Sequence, residues 1–571
     1  MANFIIKDGV CIIPEGVTKI EEGAFKGCTD LTSIVIPDSV TSIELYAFQG
    51  CTGLTSIEIP DSVTEIGNGA FEGCAGLTSI KVAEGNKVYD SRNNCNAIID
   101  RETNTLISGC KSTVIPDGVT KIGWCAFEGC TGLTSIVIPD SVTEIRGHAF
   151  KGCTGLISIV IPDSVTEIGS DAFYGCTGLI SIVIPDSVTE IGLDAFKGCT
   201  GLTSIEIPDS VTKIREAAFG YCTGLTSIKV AEGNKLYDSR NNCNAIIERE
   251  TNTLISGCKS TVIPDGVTKI EWSAFEDCTG LTSIVIPDSV TEIRGYAFKG
   301  CTSLTSIEIP DSVTVIEKDA FSGCTGLTSI VIPKGVTEIG MDVFYGCTGL
   351  TSIEVPDSVT EIGYCAFYGC MGLVSIEIPD SVTTIGNKAF KGCTSLTSIV
   401  IPDSVTVIEK GAFQGCTGLA SIEIPDSVTT IGQGAFEGCT GLTNIVISDS
   451  ETVIDYAAFK GCTGLTSIEI PKGVTTIGWN AFEGCTGLTS IEIPKGVTTI
   501  GEKAFYGCTG LKEMTLPVGV KKIYKDAFDN CNALERIYVP AKKTDYYKSR
   551  LPEELHSLIV ELQPEKRAKK R

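Results

Sequence analysis

Cysteine is the residue in this chain whose type and spacing could most readily support chemistry. The 571 residues include 27 cysteines, and twenty of them recur in steps of 23 residues between Cys28 and Cys531, with two interruptions. Thiols at a fixed interval could form disulfides, bind zinc or be buried as small apolar side chains. Stacked thiols with parallel Cβ vectors make poor disulfides, and structural zinc requires ligands at short spacing. We therefore expect this cysteine column to be buried, reduced and free of metal.

Groups for general acid–base catalysis are scarce. The chain has two histidines, His148 and His556, which lie far apart in the sequence, and its glycines are not clustered into a phosphate-binding loop. A repeated sequence also gives one group the same surroundings many times, whereas catalysis requires acid, base and nucleophile in unlike environments. The sequence therefore predicts no enzymatic activity, no cofactor and no metal. Two alternatives stay open, an enzyme or enzyme-regulatory scaffold with an unseen activity and a purely architectural solenoid.

An aspartate recurs with the cysteines, as at Asp140 and Asp163, and raises the question of a calcium site. Calcium requires six to eight oxygen ligands around one point, which a single column does not provide. Lysine also replaces the aspartate at Lys334, Lys472 and Lys495. We expect the aspartate to close its own turn.

All these residues belong to one repeated unit of 23 residues, "LTSIVIPDSVTEIRGHAFKGCTG", whose positions are numbered here from Leu133. A short β-branched strand places Ile136 and Ile138 inward, and a proline turn ends it. A second brief extended run follows. The segment after it predicts a helical or 3₁₀ turn that carries Phe150 and Cys153 into the interior.

No single unit can bury this apolar surface alone, so the units must stack. With 42% hydrophobic and 20% charged residues, the chain has ample material for a core. The sequence predicts an α+β repeat solenoid over residues 1–540, with about 23 parallel β rungs, short helical turns and an elongated form.

The repeat is interrupted twice by the same block. Residues 77–127 recur at 225–275 with four changes, so the block has been duplicated. In each copy two short apolar runs flank a polar turn, which predicts β-hairpin insertions near residues 82–111 and 230–259.

Pairing about these turns places Cys95 opposite Cys110 and Cys243 opposite Cys258. In an oxidising compartment each pair could form a disulfide, and otherwise all four are free thiols. We expect these cysteines to react more readily than those of the column.

Charge is distributed unevenly. The net charge of −25 combines −29 in residues 1–540 with +4 in residues 541–571. An acidic repeat body is a poor partner for nucleic acid. No apolar run is long enough for a transmembrane segment, and no signal peptide is visible, so the sequence favours a cytoplasmic protein, although a secreted protein in its mature form would look the same. We also expect a monomer.

The positions that vary are the candidates for partner binding, because repetition fixes the structural ones. Positions 15 and 16 hold aromatic residues, which are common at interfaces. The candidate contact residues are Trp124, Trp272, Trp479, Tyr46, Tyr296, Tyr364 and Tyr456. Neutral drift at an unconstrained edge is the competing interpretation. The strand face, with serine at position 3 and Val, Glu or Lys at position 5, is a second candidate surface.

The unit L-x-x-I-x-I-P-x-x-V-x-x-I-G-x-x-A-F-x-x-C resembles the BspA-like, or treponemal, class of leucine-rich repeats over roughly residues 10–540. Residues 538–562 resemble the closing module of that family, which implies a C-terminal cap at 541–562 followed by a disordered basic tail at 563–571. The resemblance implies a curved, non-enzymatic solenoid for protein–protein interaction or adhesion, with a protein ligand of unknown identity. It also implies a cell-surface or secreted location.

Overall fold

The computed structural model describes residues 4–448 and 453–562. These residues form a parallel β-solenoid of about 24 turns. The chain divides into two compact units, a first unit Met1–Leu281 and a second unit Thr282–Arg571.

Each regular turn contains a longer and a shorter strand. In the reference unit these are Ser135–Val137 and Glu144–Ile145. Both pair in parallel with the equivalent strands of the next turn, one repeat later, so that Ile136 lies beside Ile159. Side chains alternate along a strand, which explains why Ile136 is buried while its neighbour Val137 is exposed.

In the first unit, the longer strands are Val10–Ile12, Ser33–Val35, Ser56–Ile59, Ser79–Val82, Ser135–Val137, Ser158–Val160, Ser181–Val183, Ser204–Ile207 and Ser227–Val230. The shorter strands are Lys19–Ile20, Ser42–Ile43, Glu65–Ile66, Lys121–Ile122, Glu144–Ile145, Glu167–Ile168, Glu190–Ile191, Lys213–Ile214 and Lys269–Ile270. An N-terminal strand, Ile6–Lys7, pairs antiparallel with the first longer strand.

In the second unit, the longer strands are Ser283–Val285, Ser306–Glu308, Ser329–Val331, Ser352–Glu354, Ser375–Glu377, Ser398–Val400, Ser421–Ile424, Asn444–Ile447, Ser490–Glu492, Glu513–Thr515 and Arg536–Val539. The shorter strands are Glu292–Ile293, Val315–Ile316, Glu338–Ile339, Glu361–Ile362, Thr384–Ile385, Val407–Ile408, Thr430–Ile431, Val453–Ile454, Thr476–Ile477, Thr499–Ile500 and Lys522–Ile523.

The third side of each turn differs from the α+β prediction. Residues 147–152 form a series of turns and not a helix. His148 has a φ of +58°, in the left-handed region, which stops a right-handed helix from continuing. The amides of Phe150 and Gly152 donate to carbonyls of the next turn, at 2.8 and 2.7 Å, instead of bonding four residues back. Strands and turns therefore dominate the fold, and this segment adds a third ladder between turns.

The interior is built from columns of identical side chains. Phe150 stacks on Phe173 of the next turn, with ring centroids 5.3 Å apart and planes 4° from parallel. Phe150 and Cys153 are both fully buried, which confirms their predicted inward placement.

The column cysteines also form hydrogen bonds. The Sγ–H of Cys153 donates to the carbonyl of Phe127 in the preceding turn at 3.1 Å, and Cys176 does the same to Phe150. Burial raises the pKa of the Cys176 thiol to about 12. Most of the column is therefore a row of buried thiols that join neighbouring turns, while Cys28 and Cys278 are partly exposed.

The serine that follows the recurrent aspartate forms the hydrogen bonds between neighbouring proline turns. Ser141 follows Asp140, and its hydroxyl donates to the carbonyl of Val119 at 2.7 Å while accepting the amide of Gly118 at 3.1 Å. The hydroxyl therefore supports the turn of the preceding unit.

Each insertion is an antiparallel layer inside the stack. In the first, Ala97–Asp100 pairs with Tyr89–Asp90 on one side and with Thr105–Gly109 on the other. The second repeats this with Tyr237–Asp238, Ala245–Glu248 and Thr253–Gly257, and one 3₁₀ turn accompanies each layer, at Arg92–Asn94 and Arg240–Asn242. Ile98 packs with the apolar cluster of the preceding turns and Ile99 with that of the following turns. The predicted hairpin thus corresponds to strands of a layer that is buried on both faces.

The insertion cysteines are placed differently from the prediction. Ala97 lies opposite Gly109, so the register does not set Cys95 directly opposite Cys110. Cys95 packs with the cluster that follows the layer and Cys110 with the one that precedes it. Such placement does not favour a disulfide between them. Cys95, Cys110, Cys243 and Cys258 are all buried free thiols whose pKa values are raised by burial, so we no longer expect them to react readily.

The described chain ends in a short α-helix, Thr544–Lys548, a 3₁₀ helix, Glu553–Leu558, and a strand, Ile559–Glu561, which pairs with Arg536–Val539. Tyr547 of the α-helix is fully buried, and its hydroxyl donates to the carbonyl of Pro517. These elements cover the last turn. The basic tail predicted at 563–571 lies outside the described residues.

Candidate functional site

The seven aromatic candidate contact residues at positions 15 and 16 differ in exposure. Trp124, Trp479, Tyr364 and Tyr456 are exposed, whereas Tyr46, Trp272 and Tyr296 are partly buried.

Glycines of the following turn explain part of this packing. The Trp124 ring lies against Gly147, where an added Cβ would overlap it, and Trp479 lies against Gly501 in the same way. Part of each indole is therefore in contact with the following turn of the protein.

A second candidate surface is an exposed row of valines on the strand face of the first unit. It consists of the position-5 residues of four successive turns between the two insertions, Val114, Val137, Val160 and Val183. Ile157 and Ile180, at position 2, extend the apolar area beside it. We call these four valines the valine ladder.

Charged residues follow the valine ladder at the same position of the repeat. Beyond Val183 the same position carries Glu206 and then Lys229, whose side chains form an ion pair at 3.3 Å. The block before the first insertion has the equivalent pair, Glu58 and Lys81, at 2.9 Å. The apolar stretch is thus bounded and confined to the turns between the insertions.

The second unit has no ladder of this length among its described position-5 residues, because valine and glutamate are mixed there. The order is Val285, Glu308, Val331, Glu354, Glu377, Val400, Glu423, Val446, Glu469, Glu492, Thr515 and Tyr538. An exposed valine in this unit has a charged neighbour on at least one side.

A cleft opens where the turns before the first insertion meet the turns after it, a junction that we call the first seam. On the third side of the turns, the ladder of hydrogen bonds skips the first insertion. The amide of Gly73, before the insertion, donates to the carbonyl of Glu128, after it, at 2.8 Å. Turns that are distant in sequence thereby become neighbours. The cleft has a volume of about 390 Å³, and the residues that line it are Leu45, Tyr46, Gln49, Asn68, Glu72, Trp124, Cys125, Glu128, His148 and Lys151.

Glu128 is the most buried carboxylate of this seam cleft. Its Oε1 lies 3.2 Å from Lys151 Nζ and 3.9 Å from His148 Nδ1. Burial acts to raise the pKa of Glu128, but the neighbouring His148, Cys125 and Lys151 side chains lower it overall. The Glu128 carboxylate raises the pKa of His148, whose Nε2 is also 3.9 Å from Asp171.

Glu72 is the second carboxylate of the cleft, and its surroundings are different. It accepts a hydrogen bond from Gln49 Nε2 at 2.8 Å, and in the described part of the chain it forms no ion pair. Burial raises its pKa and the negative charge of Glu128 adds to this effect, while the hydrogen bond from Gln49 and the charges of Lys151 and His148 oppose it. Gln49 Oε1 is buried without a hydrogen-bond donor.

The structure joins two of the predicted contact residues, Tyr46 and Trp124, in the seam cleft, and it leaves the others at separate places. Sequence reasoning missed Glu72, Glu128 and His148 as a group, because they belong to different repeat units that become neighbours only at the first seam. The usable signal was the duplicated block, since an insertion brings turns on its two sides together.

Metal-binding clusters and membrane-spanning helices are both absent from the described ranges. No cluster of three His, Cys, Asp or Glu side chains is arranged there to hold a metal ion. No described helix has the length and apolar character needed to cross a membrane.

Comparison with known proteins agrees with the repeat pattern. The model of the BspA type leucine rich repeat region matches residues 10–108, 99–226, 247–374, 360–489 and 429–551, which together span most of the chain. No curated protein sequence matches significantly.

Solved structures with similar folds include a leucine-rich repeat protein from Bacteroides ovatus, at 27% identity, covering 83% of this chain and 98% of that one, with a TM-score of 0.38. A leucine rich cell surface protein from Faecalibacterium prausnitzii has 28% identity, coverage of 78% and 93%, and a TM-score of 0.38. A leucine rich repeat protein from T. pallidum has 36% identity, coverage of 28% and 78%, and a TM-score of 0.27. On the extent of the family match and the regular repeat, this chain belongs to the BspA-type leucine-rich repeat family.

Proposed function

We propose that this protein is a non-enzymatic scaffold for protein–protein interaction, including adhesion, and that the valine ladder is its main contact surface. The observation that carries the proposal is the unbroken row of exposed valines on four turns. A surface strand has no structural need for an apolar side chain on its solvent face, and contiguous exposed apolar area marks interaction sites.

Burial of this area would drive binding. Each Å² of apolar surface removed from water contributes about 25 cal/mol, and the repeated geometry offers the partner the same contact on every turn. The ion pairs that bound the ladder supply a polar border like that of known interfaces. The partner expected is a protein with a complementary apolar surface, bound by a single copy of this chain.

The test compares two valines in the same position of the repeat. Val160 is 73% exposed inside the ladder, and Val400 is 74% exposed in the second unit, beside Glu377 on one side. Glutamate occurs naturally at this position, as at Glu206, so V160E and V400E should both fold.

The full-length protein and both variants serve as bait in parallel pull-downs, with quantitative mass spectrometry of the bound proteins. We expect the specific partners of the wild type to be retained by V400E and reduced about tenfold or more by V160E, as for a central contact residue. Equal retention by both variants would move the contact surface away from the ladder.

A further inference from the structure

The duplicated block gives this protein a second seam, at the second insertion, and Lys197 is a cation at that seam. Lys197 Nζ lies 3.1 Å from Asp194 Oδ1 and 3.8 Å from Glu276 Oε2. The same ammonium is 5.2 Å from the centre of the Tyr221 ring. At the second seam, a buried carboxylate, an ammonium group and an aromatic ring therefore lie together.

The first seam differs from the second in both charges: it lacks the counterparts of Lys197 and Asp194, which are Gln49 and Tyr46, and it has a carboxylate of its own at Glu72. Residues of the two seams correspond at an offset of 148, so that Gln49 stands where the second seam has Lys197, and Glu72 where it has Gly220. Glu128, which corresponds to Glu276, is neutralised from another direction by Lys151 at 3.2 Å.

Glu72 is therefore the carboxylate of the cleft that forms no ion pair among the described residues, and the charges of Lys151 and His148 act on it only from a longer distance. Its described partner is the neutral amide of Gln49, which keeps one further acceptor, Oε1, without a donor. This end of the seam cleft thus presents acceptors that lack donors, in a place where a half-buried carboxylate gains from a positive charge.

Aromatic faces stand beside these acceptors. The Tyr46 ring lies close to Gly69, and a Cβ added to Gly69 would also approach Glu72 Oε2 at 3.3 Å, which places ring and carboxylate side by side. Trp124 lines the same cleft. Faces of tyrosine and tryptophan attract cations within about 6 Å of the ring centre.

We propose that the seam cleft binds an organic cation, an arginine guanidinium or lysine ammonium, which takes the place that Lys197 fills at the second seam. The positive group pairs with Glu72, donates to Gln49 Oε1 and lies against Tyr46 and Trp124. The cation comes either from a side chain of a partner protein or from a free small amine. This site lies apart from the valine ladder and does not depend on it.

The first experiment measures binding of Nα-acetyl-arginine amide to the full-length protein by isothermal titration calorimetry and ligand-observed NMR. Nα-acetyl-citrulline amide is the matched ligand, since it has the same shape without the charge. We expect saturable binding of the arginine compound at one site and at least about tenfold weaker binding of the citrulline compound. Equal binding of both, or no saturable binding of the arginine compound, overturns the proposal.

Two variants then locate the site. Glu72→Gln keeps shape and removes the charge, and we expect an affinity loss of about tenfold. Gln49→Lys recreates the lysine of the second seam, which should occupy the cleft and abolish binding. If either variant retains full affinity with an unchanged circular dichroism spectrum, the assignment is wrong.

The chain offers a matched control outside the seam. Gln414 Nε2 donates to Glu437 Oε2 at 2.7 Å, and this pair occupies the same two repeat positions as Gln49 and Glu72. Glu437→Gln should leave affinity unchanged, as should V160E. Loss of binding in Glu437→Gln would show a general charge effect instead of a site.

A last arm separates the two sources of the cation. A pentapeptide with one central arginine between glycines is compared with Nα-acetyl-arginine amide, and the lysine analogues are tested in parallel. Tighter binding of the peptides supports a protein side chain as the occupant, and equal affinities support a free amine. Binding of the citrulline peptide as tightly as the arginine peptide overturns both.

Discussion

At the scale of single residues, the cysteine column shows how much a repeat reveals about its own core. Identity at every turn predicted that Phe150 and Cys153 are buried, because only an interior position is so strictly repeated. The thiol's hydrogen bond to the Phe127 carbonyl could not be predicted, since it depends on the stacking offset between turns.

Thiol reactivity follows from this burial. We expect native protein to label slowly at Cys153, Cys95 and Cys110, because each is buried and its pKa is raised by desolvation, while the partly exposed Cys28 labels first. Time-resolved labelling with mass spectrometry measures the order. Fast labelling of Cys153 would show that the turns stack differently.

His148 should make stability depend on pH. The Glu128 carboxylate, 3.9 Å from Nδ1, raises its pKa above the usual value of 6.5, with burial and Lys151 opposing and Asp171 assisting. The protonated ring therefore stabilises the folded state below about pH 6.5, and this contribution is lost as pH rises through the higher, folded-state pKa.

Urea unfolding of wild type and His148→Gln between about pH 6 and about pH 8 tests this effect, in a window above the usual carboxylate range. We expect the free energy of unfolding of the wild type to fall more steeply with pH than that of the variant. Parallel curves would exclude a role for His148.

At the scale of elements, the strands were predictable and the third side of the turn was not. Alternation around Ile136 fixed the longer strand and its register. The helical turn was wrong because His148 adopts a positive φ and the amides of Phe150 and Gly152 bond to the next turn. The seam cleft was out of reach for a related reason, since Glu72 and Glu128 meet only because an insertion is bypassed.

The contact between Trp124 and Gly147 provides a prediction for this edge. Gly147→Ala adds a Cβ that overlaps the indole, and Gly147 has no positive φ that would itself disfavour alanine. We expect a loss of about 1–3 kcal/mol in the free energy of unfolding. The W124A/G147A double variant should remove most of that loss relative to W124A, as measured by a double-mutant cycle in urea. Additive effects would contradict the contact.

At the scale of the whole molecule, stability should be distributed over turns rather than concentrated in one core. Removal of residues 156–178 or 373–395 excises one unit of 23 residues and rejoins equivalent positions. We expect both shortened chains to fold, with a modest decrease in thermal midpoint, because each turn contacts mainly its neighbours. Circular dichroism melting measures this. Complete unfolding of either chain would contradict it.

The same pair of deletions separates the proposed contact surface from the rest of the chain. The first deletion removes Val160 and shortens the valine ladder, whereas the second leaves it intact. Partner retention in pull-downs should decrease with the first and stay unchanged with the second.

The ladders between turns also determine how this protein responds to mechanical force. Strand pairs such as Ser135–Val137 with Ser158–Val160, and the turn-side amides, all bond one turn to the next. Tension on the two chain ends therefore loads the bonds of a terminal turn before those behind it, so turns peel away one at a time. Each released turn of 23 residues adds about 80 Å of extended chain. A tether of this kind lengthens under load at nearly constant force, which protects the bond at either end from sudden rupture.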